Sequence, residues 1–277
     1  MRVVEETNRI LREKASPILD RVTIDDLVLG IFFTGVKLST GHGGVAFTPI
    51  GEIPEAVCCP TTAARMPRAG SLTGMSVWDC LPLASDKNVL KSAIGVAAIN
   101  GITSLLLETG IRFEGEIVIG EDGFDLLKIE PTETISLIGA FGPYIRRLKR
   151  MGNPFFIVEK NPLALREEEK PFYKSESQMA QALKRSDVVI ITGTAIVNQT
   201  VDLILSNLKK ESRVAIIGPT ASMWPEAFFR RGIQVMAGIR IQNPDKMIRI
   251  LKEGGSAYHL LHECSEKIAF VRKDHHA

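Results

Sequence analysis

The chain has 277 residues, 45% of them hydrophobic and 24% charged, with 34 Lys and Arg against 32 Asp and Glu. That hydrophobicity excludes a disordered chain, and a formal charge of +2 supplies no basic face for nucleic acid. The length predicts two domains. No uninterrupted apolar run reaches the roughly 18 residues of a membrane span. The charged start MRVVEETNRILREK carries no signal-peptide core, so a cytoplasmic protein without a membrane partner is expected. Cys58, Cys59, Cys80 and Cys264 form no CxxC pair, so the strongest zinc signature is missing. A chain this long buries a core without disulfides.

The spacing of Val3, Val4, Ile10, Leu11, Ile18 and Leu19 predicts a helix over 3–19, with a break or restart at Pro17. A β-rich stretch follows over 24–37 (IDDLVLGIFFTGVK). His42, Gly43 and Gly44 separate it from a second strand over 45–48, as a hairpin turn would. Residues 49–82 are rich in Pro and Gly and read as ordered loop with short helices, and loops of that length are often functional. Residues 88–107 (NVLKSAIGVAAINGITSLLL) predict a helix apolar nearly all round, hence buried. At about 20 residues it is long enough to be mistaken for a membrane span, but Lys91, Asn100 and two serines interrupt it. The composition changes over 114–133, which places the domain boundary there.

Beyond the boundary the pattern is regular. Apolar runs over 134–141, 153–160, 187–193, 212–218 and 234–241 alternate with helical segments over 144–151, 176–185, 198–210, 224–231 and 244–253, and 267–273 closes as a strand. Such alternation predicts a parallel sheet covered on both faces, a Rossmann-like doubly wound domain. Ligands of such sheets bind outside the carboxyl ends of the strands. The first run ends in Gly139-Ala140-Phe141-Gly142-Pro143, a strand–helix turn that could present N–H groups to an anion, although it lacks the third glycine of a dinucleotide fingerprint. Glu159, after the second run, is placed to accept ribose hydroxyls or to sit in solvent. Thr192, Gly193, Thr194, Asn198 and Thr200 follow the third run and leave room for a ligand, with Asn198 equally able to cap the next helix. Gly218, Pro219, Thr220 and Ser222 make a rigid turn after the fourth run.

His259, His262 and Cys264 (YHLLHEC) have the chemistry of soft metal ligands. The two histidines share a face on a helix and oppose one another on a strand. His42 between glycines is a further candidate, and Arg65, Arg68 and Lys87 could reach an anion between domains. No P-loop, no His-Glu-x-x-His motif and no nucleophile elbow is present.

Several stretches resemble one known family: AGSLTGM (69–75), SAIGVAAINGI (92–102), GEDGFDLL (120–127), DVVIITGTAIVNQTVDLIL (187–205), RVAIIGPTASMWPEAFFRRGIQVMAGIRI (213–241) and the closing KIAFVRK. They are similar to the uncharacterised "putative heavy-metal chelation" proteins. The resemblance implies an α/β fold with an N-terminal α+β, enolase N-terminal-like domain over 1–120 and a Rossmann-like doubly wound parallel-sheet domain over 121–277. It also implies an interdomain pocket. The residues it carries over are Gly139, Gly142, Thr192, Gly193, Thr194, Asn198, Thr200, Gly218, Pro219 and Thr220, with Arg68, Gly70 and Asn100 from the first domain. His259, His262 and Cys264 match no pattern of that family. Enolase chemistry is not implied, because it needs a metal-binding barrel.

The expected function is therefore the binding of a small anionic molecule, a metal chelator or its precursor. The rivals are a group-transfer enzyme using a nucleotide-like cosubstrate such as S-adenosylmethionine, a non-catalytic carrier holding a heavy-metal ion through His or Cys, and an NAD-dependent oxidoreductase. A second copy of the chain is kept as a partner, in a homodimer.

Overall fold

The structure is a computed structural model and describes residues 1–52 and 69–273. Helix α1 (Val3–Leu19) buries Val3, Val4, Thr7, Ile10, Leu11, Ala15 and Leu19 along one stripe. It runs through Pro17 without the expected break. A proline in the last turn forfeits one N–H bond, to the carbonyl of Glu13, and Glu13 is exposed to water.

The β-rich stretch is two strands, β1 (Ile24–Leu29) and β2 (Phe33–Leu38), turned at Gly30. β3 (Gly43–Phe47) completes an antiparallel sheet in the order β1-β2-β3. After the short α2 (Val77–Cys80) comes α3 (Val89–Glu108), whose start is capped by Asn88 accepting from Leu90 N–H and Lys91 N–H. Of the most apolar window of α3, 89% is buried within the protein. Gly43 and Gly44 lie in β3 and not in the turn expected of them. A Cβ on Gly44 would stand 2.2 Å from the Ala97 carbonyl oxygen and from the Gly101 nitrogen of α3. Close packing of strand on helix, and not turn geometry, requires that glycine.

The second sheet has eight strands: β4 (Glu116–Ile119), β5 (Ile135–Ile138), β6 (Phe155–Val158), β7 (Tyr173–Lys174), β8 (Val188–Thr192), β9 (Arg213–Ile217), β10 (Val235–Ile241) and β11 (Ser265–Val271). Their order is β4-β11-β10-β9-β8-β5-β6-β7. The six strands from β10 to β7 are parallel, as the alternation predicts, while β11 and β4 add an antiparallel edge. β4 precedes the expected boundary at 120 and yet belongs to this sheet. From β5 the chain winds outward through β6 and β7, then returns to β8 and winds the other way through β9 and β10. The order therefore reverses between β5 and β8.

Alternate residues of each parallel strand face opposite layers. Ile135, Leu137, Val188 and Ile190 pack with Tyr144, Ile145 and Leu148 of α5 (Gly142–Met151), behind the short α4 (Gly123–Leu126). Ile138, Val189 and Ile191 face the other layer. It holds α6 (Met179–Lys184), α7 (Thr194–Val197), α8 (Val201–Ser206) and α9 (Glu226–Phe229), together with α1 and α3. One apolar cluster thus runs from the N-terminal helix to the parallel sheet. The small sheet is also held from its other side, by α10 (Pro244–Lys252). Met247 and Leu251 of α10 press on Gly35, where a Cβ would lie 2.4 Å from Leu251 Cδ1. Lys37 pairs with Asp25 at 2.9 Å and Asp245 at 2.7 Å, and Lys252 with Asp26 at 3.3 Å. The last helix, α11 (Ala257–Glu263), carries His259 and His262.

Candidate functional site

A cavity of about 210 Å³ opens at the carboxyl ends of β5, β6 and β8, where the strand order reverses. Gly139, Glu159, Thr192, Thr194, Asn198 and Thr200, all expected from sequence, line it. Apolar walls come from Ile138, Val158, Met179, Ala195, Leu203 and Ile204. The N-terminal region contributes Val89, at the start of α3. Gly139 holds φ +100°, and a Cβ there would meet Thr192 Oγ1 at 2.5 Å. The glycine is needed for the close passage of one strand end over the next.

The glycine turn is not an open anion cradle. Glu159 accepts the Ala140 N–H at 2.9 Å and the Asn161 N–H at 2.9 Å, one on each carboxylate oxygen. The Phe141 N–H is bonded to the Gly139 carbonyl, and Pro143 has none. Two of the donors expected to meet a ligand are satisfied within the protein. The start of α5 is fixed as well. Tyr144 donates to Asp122 at 2.5 Å, and Lys267 pairs with Asp122 at 3.0 Å. Burial alone would raise the Asp122 carboxyl, but the hydrogen bonds from Tyr144, Lys267 and the Phe124 N–H outweigh it and hold the group below its ordinary 3.8.

The polar wall of the cavity has a distinct character. Thr192 and Thr194 share a hydrogen bond at 2.7 Å between their hydroxyls. Asn198 does not cap the following helix: it is the C-terminal cap of α7, and α8 begins after Thr200. Its Oδ1 is buried without a hydrogen-bond partner among the described residues. Unpartnered buried acceptors are uncommon and cost about 1–3 kcal/mol. At the rim stand Glu159, Glu176 and Lys160, two carboxylates against one ammonium. Glu176, Lys160, Met179 and Val89 were not singled out from sequence. Glu176 follows β7, a strand of two residues, too short to show a period.

The remaining expected residues lie elsewhere. Asn100 donates through Nδ2 to the Val45 carbonyl at 2.7 Å and the Thr220 carbonyl at 3.0 Å, and Thr220 Oγ1 accepts the Phe47 N–H at 2.9 Å. Asn100 and Thr220 are buried, and they sew α3 and β3 to the turn after β9. Gly218 begins that turn at φ +132°, Pro219 is its first helical residue, and Gly193 packs against Thr220. Gly142 starts α5 outside the cavity lining, Lys87 is exposed, and Gly70 sits in an exposed turn at φ +82°. Arg65, Arg68, Cys58 and Cys59 lie outside the described residues.

The soft donors do not converge. His259 and His262 are exposed on α11, where His259 Nδ1 accepts the Ser256 N–H at 3.1 Å and the His262 ring lies tilted against Tyr258. Cys264 is buried beneath them, and burial raises its thiol to about 11. Cys80 is buried too, its thiol raised to about 12. A heavy-metal ion takes thiolate, not thiol. His42 lies between Thr40 at 3.0 Å and Glu108 at 3.1 Å. Among the described residues no group of three or more His, Cys, Asp or Glu side chains could hold a metal ion, so this donor set does not fit a heavy metal.

Two family models match the chain, both described as "Putative heavy-metal chelation", one over residues 122–270 and the other over residues 12–103. An uncharacterized protein of Methanocaldococcus jannaschii is 28% identical over 177 residues, 63% of this chain and 64% of that protein, so the match spans less than two thirds of the relative's length. A solved Pyrococcus horikoshii structure, a protein of unknown function from the DUF364 family, is 23% identical and covers 97% of this chain and 100% of its own, with a TM-score of 0.76. A Desulfitobacterium hafniense structure of the same family is 17% identical over 97% of this chain and 99% of its own, with a TM-score of 0.70. The likeness to these structures is one of fold.

Proposed function

Given that the chain belongs to the family whose models are described as "Putative heavy-metal chelation", we propose that it handles a small organic metal-chelating compound, or its precursor, in the cavity at the strand-order reversal, and does not itself ligate the metal there. The observation that carries this reading is the polar wall. Asn198 Oδ1 awaits a donor, Thr192 and Thr194 offer hydroxyls, and the rim carries Glu159 and Glu176 against Lys160. Such a wall favours a neutral or cationic molecule rich in N–H and O–H groups over the anion expected from the glycine turns. An unmetallated amine- or hydroxyl-bearing chelator has those groups. The size sets a second limit. About 210 Å³ is below the roughly 300–1,000 Å³ of sites for drug-sized ligands, which favours a small molecule over a whole dinucleotide.

A nucleoside-sized cosubstrate is the second reading, on one observation: Glu159 directly follows β6, the second strand of the winding, where an acid commonly meets ribose hydroxyls. Its carboxylate already takes two N–H groups but keeps acceptor capacity.

Native mass spectrometry of the protein purified without chelators tests both readings. The expected result is a co-purified organic mass that is lost in Thr194→Val with Asn198→Leu while the melting temperature stays near that of the parent. A metal ion at unit stoichiometry, without an organic mass, would overturn the first reading. A nucleoside-type mass would establish the second.

A further inference from the structure

A second concavity, of about 380 Å³, lies away from the strand-order reversal, between α5 and the loop after β6. Its lining is Arg146, Lys149 and Arg150 from α5, with Arg166, Glu168 and Glu169 from the loop. Four cations stand against two acids, so the lining keeps a positive excess. Glu169 is buried and accepts the Arg166 backbone N–H at 2.9 Å. Glu168 stands 3.9 Å from Lys149. Arg146, Arg150 and Arg166 have no ion pair among the described residues. Their neighbour Arg147, by contrast, pairs with Asp125 and lies over the Phe124 ring. Cations in the last turn of a helix gain from its dipole, which accounts for Lys149 and Arg150. It does not account for Arg146, whose Nη1 folds back toward Gly142 at the opposite end of α5, nor for Arg166, which is on another segment.

We propose that this groove is a binding site for a diphosphate-type polyanion, free or carried by a nucleotide. Three arginines line one concavity, which concentrates positive charge there. Each offers a planar fork of donors matched to phosphate oxygens. The site is separate from the cavity of the proposed function, and the donors it uses are side chains, not the bonded N–H groups of the glycine turn.

Isothermal titration calorimetry of the full chain with inorganic pyrophosphate is the test, at low and at high salt. Saturable binding that weakens with salt is expected. Arg146→Gln with Arg166→Gln should weaken it by roughly tenfold or more, the loss for charge-assisted hydrogen bonds. Arg9→Gln, which breaks an exposed pair with Glu13 on α1, should leave it unchanged. Absence of saturable heat overturns the proposal. So does equal binding by the double variant, or an equal loss in Arg9→Gln, which would mark diffuse attraction to net charge. Adenosine diphosphate in a parallel titration separates the sources: tighter than pyrophosphate means a nucleotide, equal or weaker means the free polyphosphate.

Discussion

Single residues here are constrained by what they touch more than by their type. Gly44 is the sharpest case, since a Cβ would meet two backbone atoms of α3 at 2.2 Å. Backbone cannot yield as a side-chain tip can, so Gly44→Ala is expected to cost about 3 kcal/mol or more, read as a fall in Tm by calorimetry. The buried thiols make a second case. From an ordinary 9.0, burial raises Cys80 to about 12 and Cys264 to about 11. Folded thiols stay protonated where unfolded ones ionise. They therefore lend stability that is intact below about pH 9 and is lost as pH rises through about 11 to 12. Iodoacetamide at neutral pH should label neither Cys80 nor Cys264 until denaturant is added, as peptide mass spectrometry will show. Labelling of either in the folded protein would contradict the burial. Asn198 shows the limit of residue-level reading. An Asn between two helical segments reads equally as a cap or a ligand, and only the position of its Oδ1 distinguishes them.

At the scale of elements, α3 is the central member. It is apolar all round because it is enclosed all round, by the small sheet, by the tight turn over Leu81–Ser85 and by α7 against the large sheet. Its one buried amide, Asn100, gives both N–H groups to carbonyls on two different segments. Asn100→Leu leaves the Val45 and Thr220 carbonyls without that donor, at an expected cost of about 2–4 kcal/mol. Urea unfolding measures the cost. Ligand retained in the cavity of the folded variant, by native mass spectrometry, would show that Asn100 holds structure and not substrate. The parallel strands were legible because both of their faces are buried, which makes each a continuous apolar run. β4 was not: it is four residues long on a sheet edge with exposed Ile117 and Ile119, and it obeys neither pattern. β7 was hidden for the same reason of length.

Over the whole molecule, the two regions are interlocked. α10, far along the chain, packs on β1 and β2, so the small sheet lies between a helix of its own region and one of the other. Separate domains are expected to melt separately, but interleaved ones share their core. We expect one calorimetric transition for the full chain, with equal calorimetric and van't Hoff enthalpies. Residues 121–277 expressed alone should bind the dye ANS through the uncovered Met247 and Leu251. Two resolved transitions would contradict the interlock.

Legible along the chain were the α/β class, the winding of the parallel strands, the burial of α3 and six of the residues around the cavity. Each follows from local rules: apolar period, glycine at strand ends, and the habit of open sheets to bind ligands beyond their carboxyl edges. Which of the candidates are free to meet a ligand depends on the folded arrangement. Glu159 is engaged with the glycine turn, Asn100 and Thr220 with each other's segments, while Asn198 Oδ1 has no hydrogen-bond partner among the described residues. It also kept His259 and His262 in solvent on α11 with Cys264 buried, and gathered Arg146, Arg150 and Arg166 around one groove. The reason is physical. A side chain's type fixes the hydrogen bonds it is able to make, but which of them are already made depends on segments that only folding brings within reach.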